Sequence, residues 1–415
     1  MKTWLIEPRD PLIVRDGRPF GATPGARAAT LPFPFPSTLI GAICTRAGRN
    51  TDGVFDRSKI PELRKIALRG PLLVQLNSQN ENEIADWFVP FPADALLLKA
   101  RTEDEADIKR LTVLDVDPRL TSLPSNLLPV GMPIPDSGKP HPKAPRFWRW
   151  DQFKQWLFDP KDQTIKLSDL GIEGLPQQSR THVKIERRND DVPLSPGVLS
   201  ASQTAEEGAL FQTRGLEFTH LSKSENLSTA KRFALAIATD AAAITGGFDA
   251  TGGERRMSAW QVGKCAPGED LLASDCPPEV LNTIPQENGR VVWHCRLVLL
   301  TPAHFNQGSQ PDWLINAQQN VNVEIKAMAM NRYQVVSGWD FEKNEPKSAR
   351  RLAPSGAVFF LNLTGEATAI TAWAKDTWMN CISDEETDRR DGFGLAALGN
   401  WNGKLEEMRD AQKTT

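Results

Sequence analysis

The chain has few of the groups on which common enzyme chemistries rest. Its 415 residues include five cysteines, Cys44, Cys265, Cys276, Cys295 and Cys381. The count is odd and no pair has CxxC spacing, which argues against a zinc ribbon and against a disulfide framework. Scattered thiols suit a reducing compartment. No apolar run reaches about 18 residues, and no long apolar h-region opens the chain. These absences predict a soluble, cytoplasmic protein with no membrane partner, no metal and no cofactor. GxSxG, HExxH and P-loop motifs are all missing.

Histidine is scarce as well. His141, His182, His220, His294 and His304 all lie outside the opening strand–helix unit. A metal-free RNA-cleaving site needs a general base near the scissile phosphate. Only His182 sits in a basic cluster, and a hydrogen-bonding or packing role is the plainer reading for it. Asp16 precedes Gly17, where turn chemistry accounts for it. The run DEETDRRD at 384–391 has mixed sign and reads as exposed. The expectation is therefore a protein that is not an enzyme. Strong net charge is missing too: 49 basic residues face 52 acidic ones, a net charge of −3. A surface for a polyanion must then be local, with acids segregated elsewhere.

What is present is an ordinary globular composition, 40% hydrophobic and 24% charged, with 31 prolines that imply long irregular connections. The length allows two or three folding units. Residues 3–14 read as a strand interrupted by Pro8 and Pro11, which favours an edge or a bulge. Ser37 and Thr38 are N-cap candidates for a buried helix beginning LIGAI. Residues 67–76 and 85–96 read as strands, and the charge run 102–110 as a solvated segment. Residues 116–146 are proline-rich and irregular. Phe147, Trp150, Phe153, Trp156 and Leu157 have near-helical spacing and predict an inserted helix packing inward. Residues 179–218 read as a long hairpin with a polar tip. Residues 228–244 read as a helix capped by Ser228, followed by a glycine-rich turn and a basic strand. A second unit starts near residue 289 with the strand VVWHCRLVLL. Strands at 321–336, 356–364 and 392–401 and a helix near 366–381 complete it. The order of elements fits a ferredoxin-like unit. Residues 1–288 fit the same order if about 97–220 are mainly insertion, which gives domains 1–288 and 289–415.

Basic clusters carry the functional signal: Arg15/Arg18, Arg180 through Arg188, Arg255/Arg256, Lys347/Arg350/Arg351 and Arg389/Arg390. Four lie beside glycine turns or strand ends, where loops offer backbone N–H groups as well as guanidinium forks to phosphate. Such clusters in a net acidic chain argue for a segregated basic groove. The segment RRDGFGLAALGNWNG adds Gly392 and Gly394, where a backbone could approach a ligand closely.

EPRDPLIVRDGRPFG followed by FPFPSTLIGAI resembles the opening of RAMP-superfamily CRISPR proteins, and within them the third-subunit family of the Cmr series from type III-B effector complexes. RTHVKIERR, TGGERRMSAW, VSGWDFEKNEPKSARRLAPSGAVFFL and GFGLAALGNWNG agree with that family. The resemblance implies an α+β fold of two ferredoxin-like (RRM-like) domains with long insertions, including a thumb-like β-hairpin. It implies a non-catalytic role in antiviral defence, binding and capping the repeat-derived five-prime tag of the crRNA. The implied partners are the large polymerase-type subunit, a neighbouring backbone RAMP subunit, and target RNA near the first segment of the guide. Carried onto this sequence, the RNA-binding candidates are Arg15, Arg18, Ser37 and Thr38; Arg180, His182, Lys184, Arg187 and Arg188; Gly252, Gly253, Arg255 and Arg256; Lys347, Arg350 and Arg351; and Gly392 and Gly394 in the glycine-rich loop. Competing readings are a RAMP endoribonuclease that processes precursor crRNA, a protein-only scaffold of a type III complex, and a type III-D relative.

Overall fold

The computed structural model describes residues 1–15, 30–183, 210–220, 230–340 and 345–409, except positions 81, 125, 267, 288 and 317–319. It is a mixed, strand-rich α/β structure with several antiparallel sheets. In the first half, β1 (Lys2–Pro8) leads to α1 (Pro36–Ala47), β2 (Leu68–Leu76) and β3 (Ile84–Pro90). An insertion carries β4 (Phe147–Arg149), α2 (Trp150–Phe158) and the hairpin β5 (Gln177–Val183) and β6 (Leu210–Leu216). The chain then returns to the sheet as β7 (Lys231–Thr239), β8 (Gly247–Thr251) and β9 (Arg256–Val262). The second half contains β10 (Arg290–Leu299), β11 (Val321–Ala329), the hairpin β12 (Gln334–Asp340) and β13 (Glu345–Leu352), β14 (Val358–Glu366), α3 (Ala367–Thr377), α4 (Glu386–Arg390) and β15 (Ala396–Asn400).

The two halves repeat one strand order. Neighbours run β2–β7–β1–β9 in the first sheet and β11–β14–β10–β15 in the second. Numbered by position within each half, both read 2-3-1-4, and every adjacent pair is antiparallel. The first sheet is extended by β3, β4 and Gly171–Ile172 beyond β2, and by β8 beyond β9.

β7 corrects the helix expected at 228–244. Within KRFALAIAT the large side chains Phe233, Leu235 and Ile237 pack in a cluster with α1 residues Leu39, Ile40 and Ile43. Ala234, Ala236 and Ala238 point the other way, into a cluster shared with Trp293, Leu297 and Phe360 of the second half. Alanine favours a helix when isolated. Burial on both faces overrides that preference, because small residues on one side let a second layer approach. Ser228 itself lies outside the described residues.

Three further expectations change. α1 has Phe35 as its N-cap residue, without a side-chain cap, and Pro36 at its first turn. Ser37 and Thr38 thus lie one and two positions inside the helix. Proline serves there because its missing N–H is an orphan donor in any case. The 102–110 charge run contains a strand, Glu105–Arg110, in which Ala106 and Ile108 are fully buried between outward-facing charges. The aromatic segment at 147–157 does pack inward, with Trp148, Phe153, Trp156 and Leu157 all buried, although its first residues form β4 rather than helix.

Candidate nucleic-acid interface

Three basic stretches that are far apart in sequence meet at residues 11–15. The Leu12 N–H donates to the Leu216 carbonyl at 2.9 Å, and the Leu216 N–H returns to Leu12 at 2.8 Å. The Gly253 N–H donates to the Ile13 carbonyl at 2.8 Å. The segment after β1 is therefore flanked by the base of the β5–β6 hairpin and by the β8–β9 turn. Gly215 is close-packed here: an added Cβ would stand 2.6 Å from the Pro11 ring. Gly252, at φ +71°, would place one 2.7 Å from the Ile13 carbonyl oxygen. These glycines allow backbones to meet each other, so Gly252 and Gly253 build the junction.

Around the junction the side chains divide. Arg15 is 44% exposed and lies 3.5 Å from Glu254. Glu254 and Arg255 both have positive φ, 58° and 50°, and Arg255 is exposed with no ion pair among the described residues. Arg256 turns inward, 15% exposed, with its guanidinium 2.8 Å from Glu254. On the hairpin, exposed Arg180 donates to Gln178 at 2.7 Å. Arg214, opposite Ser179, is exposed too; it escaped the sequence reading because Thr213 and Gly215, rather than other cations, flank it. Lys184, Arg187, Arg188 and Arg18 lie outside the described residues, as does the side chain of His182.

The second gathering surrounds the start of α1. Phe35, Val336, Leu352 and Phe393 form a small apolar cluster that seats the β12–β13 hairpin against the α4–β15 loop. Arg350 is consumed there. Its guanidinium pairs with buried Asp388, which also accepts from His304 Nδ1 at 2.8 Å, and it lies over the Phe393 ring. Arg389 donates to the carbonyls of Ser383 and Asp384, both at 2.6 Å. Arg351 lies over the exposed Tyr333 ring, and Lys347 is exposed. Lys347 is close enough to Asp391 to oppose the effect of burial, which raises that carboxyl above its ordinary value. Gly392 and Gly394 are buried, with φ of +97° and +87°. A Cβ at Gly392 would lie 2.8 Å from the Gly70 carbonyl, and one at Gly394 would lie 2.8 Å from the Ser383 nitrogen. Their backbone closes on this chain.

Asp249 shows how other cations are used. It accepts from Arg46 at 2.8 Å and Arg49 at 2.7 Å. Burial alone would raise its pKa, but these bonds and the Ala250 amide hold it below the ordinary value. Among the described residues no cluster of three or more histidine, cysteine, aspartate or glutamate side chains could hold a metal, and no helix is long and apolar enough to cross a membrane.

A family model described as CRISPR-associated protein (Cas_Cmr3) matches residues 4–401. The chain belongs to that family. No curated protein matches it. Among solved structures, this Cas_Cmr3 chain is similar to one from the type III-B Cmr-beta bound to cognate target RNA and AMPPnP. That pair has 18% identity, 86% coverage of each chain and a TM-score of 0.40. A Cmr-beta structure bound to cognate target RNA gives the same values. A chain of the Csm3–Csm4 subcomplex of the type III-A interference complex shares 13% identity, with 88% of this chain and 94% of that one covered, at a TM-score of 0.34.

Proposed function

We propose that this Cas_Cmr3-family chain is a non-catalytic subunit of a type III-B effector complex that binds the five-prime tag of the guide RNA. The observation that carries the reading is the junction at residues 11–15, where exposed Arg15, Arg180, Arg214 and Arg255 come from separate parts of the chain onto one region. Exposed guanidiniums on loop and hairpin backbone suit phosphate, and base edges or stacking would add tag preference. The consecutive left-handed residues Glu254 and Arg255 support it, since such backbone costs about 1–3 kcal/mol each and persists where the surroundings hold it for a purpose. The β5–β6 hairpin is the proposed thumb over the guide. Both halves are proposed to be ferredoxin-like, a reading supported by their shared 2-3-1-4 strand order.

The test uses the chain with its large-subunit partner. Single-stranded RNA bearing the repeat-derived tag is titrated against RNA with a scrambled tag at two salt concentrations, and a gel reads cleavage. Tighter, salt-sensitive binding of intact tagged RNA is expected. Equal weak binding of both RNAs overturns tag recognition in favour of a scaffold, and cut RNA overturns the non-catalytic role.

A further inference from the structure

The first sheet ends in a free edge. β8 is its last strand, paired to β9 on one side and to no strand on the other among the described residues. Such an edge offers unpaired N–H and C=O groups to any extended chain that reaches it, and proteins usually guard it with lysine, proline or an exposed charge. β8, with the sequence GFDAT, has none of these. Its single charge, Asp249, is 8% exposed and turned towards α1, where Arg46 and Arg49 pair with it. The opposite face is apolar and bare. Phe248 is 66% exposed, the most exposed ring among the described residues. It lies opposite Ala259, and the next pair on that face is Ala250 with Met257, which is 41% exposed. Phe248 and Met257 are thus diagonal neighbours across the strand pair and form one patch.

We infer that β8 is the docking edge for an extended strand of another protein, one that alternates apolar and acidic side chains. Backbone hydrogen bonds to β8 supply affinity, and the two faces supply selection. Side chains of an added strand alternate between those faces. On the bare face, its apolar residues cover Phe248 and Met257. On the α1 face, its other residues meet Arg46, Arg49 and Asp249. There two guanidiniums share one carboxylate, which leaves one positive charge in surplus, and Arg49 is still 37% exposed. That surplus favours acids and rejects lysine. RNA has no amide ladder with which to complete the edge. A second copy of this chain, paired through its own β8, would bring the same positive surplus against itself. The inference uses none of the four exposed arginines of the 11–15 junction and stands apart from the RNA-binding reading.

The experiment uses the full chain and labelled synthetic peptides followed by fluorescence anisotropy. A short peptide alternating valine with glutamate should bind more tightly than one alternating valine with lysine. In an extended strand the amides of the two residue types point to opposite sides. N-methylation of one set should therefore abolish binding, while N-methylation of the other set spares it. Phe248→Ser and Met257→Ser should each weaken binding by about tenfold, the scale of one lost apolar contact, with the melting temperature unchanged. Arg49→Ala should remove the preference for glutamate over lysine. Bound peptide should slow amide exchange within 247–251 and leave 290–299 as in the free chain. Equal binding of the two N-methylated peptides, or unchanged affinity in Phe248→Ser and Met257→Ser, overturns the edge as the site. No peptide binding overturns it as well. Dimerisation of the chain that is lost in Phe248→Ser gives the edge to a second copy and overturns the inference. So does single-stranded RNA that displaces the peptide and binds more weakly to Phe248→Ser.

Discussion

Arg296 and Asp94, 202 residues apart, form an ion pair in which each side chain is only 1% exposed. The pair is fully dressed. Arg296 also donates to the carbonyls of Trp156 at 2.6 Å, Leu157 at 2.9 Å and Asn400 at 3.0 Å. Asp94 accepts from the Trp156 indole N–H at 2.9 Å. One charge on β10 thereby fixes the insertion helix α2 to the second sheet. Removing either partner alone strands a buried charge, which typically costs about 3–5 kcal/mol. Arg296→Met and Asp94→Ala should each lower the denaturant midpoint by that order. The double variant should lose less than the sum of the two, because no lone charge remains. Additive losses would show that the pair does not act as a unit.

Arg255 and Arg256 are adjacent in sequence and should behave differently. Arg255 faces solvent, whereas Arg256 pairs with Glu254. In salt titrations of single-stranded RNA binding, Arg255→Ala should flatten the log–log slope by roughly 0.7, as expected for one phosphate contact. Arg256→Ala should leave the slope unchanged.

Arg350 is expected to serve the fold. Breaking its contact with Asp388 should loosen the β12–β13 hairpin from the α4–β15 loop. Limited proteolysis of Arg350→Ala should give earlier cuts between 334 and 352 than in the wild type, with the rest of the chain intact. Unchanged cleavage would remove Asp388 as the anchor.

Gly392→Ala tests the tight loop. At φ +97°, with a Cβ 2.8 Å from the Gly70 carbonyl, the substitution should destabilise by about 1–3 kcal/mol. Gly53→Ala is the control: φ is +77° but nothing stands within 4 Å of the added carbon. It should retain the backbone strain without the clash and lose measurably less stability.

Burial holds the thiols protonated. It pushes Cys44 and Cys265 up to about 11, and Cys276 and Cys381 up to about 12. The sign follows from linkage. Below the ordinary thiol value of 9.0 both folded and unfolded thiols are neutral, and the stabilisation is intact. Above it the unfolded chain ionises first, so stability should fall steadily as pH rises towards 12. Urea midpoints from pH 8 upward would show this. At pH 8 the folded chain should react with a disulfide reagent far more slowly than the unfolded one.

Periodicity and resemblance made much of the chain legible. The strand at 291–300, the inward-packing aromatics near 150 and the base of the 179–218 hairpin all emerge where expected, because each buries a regular stripe. β7 was obscured by alanine. Its signal was an alternation of large and small apolar side chains, which single-sequence reasoning takes for a helix when no polar residue marks the outer face. Arginine counts located the basic stretches but could not tell exposed Arg255 from Arg350, since the difference lies in an aspartate 38 residues away. Sequence alone determined the family, the strand-rich composition and the positions where cations gather. Tertiary structure decided which cations are spent internally, which glycines close on backbone instead of ligand, and how residues 11–15 come to lie between the hairpin base and the β8–β9 turn. The physical reason is that such pairings depend on distance in space, and the segments that meet at this junction lie some two hundred residues apart along the chain.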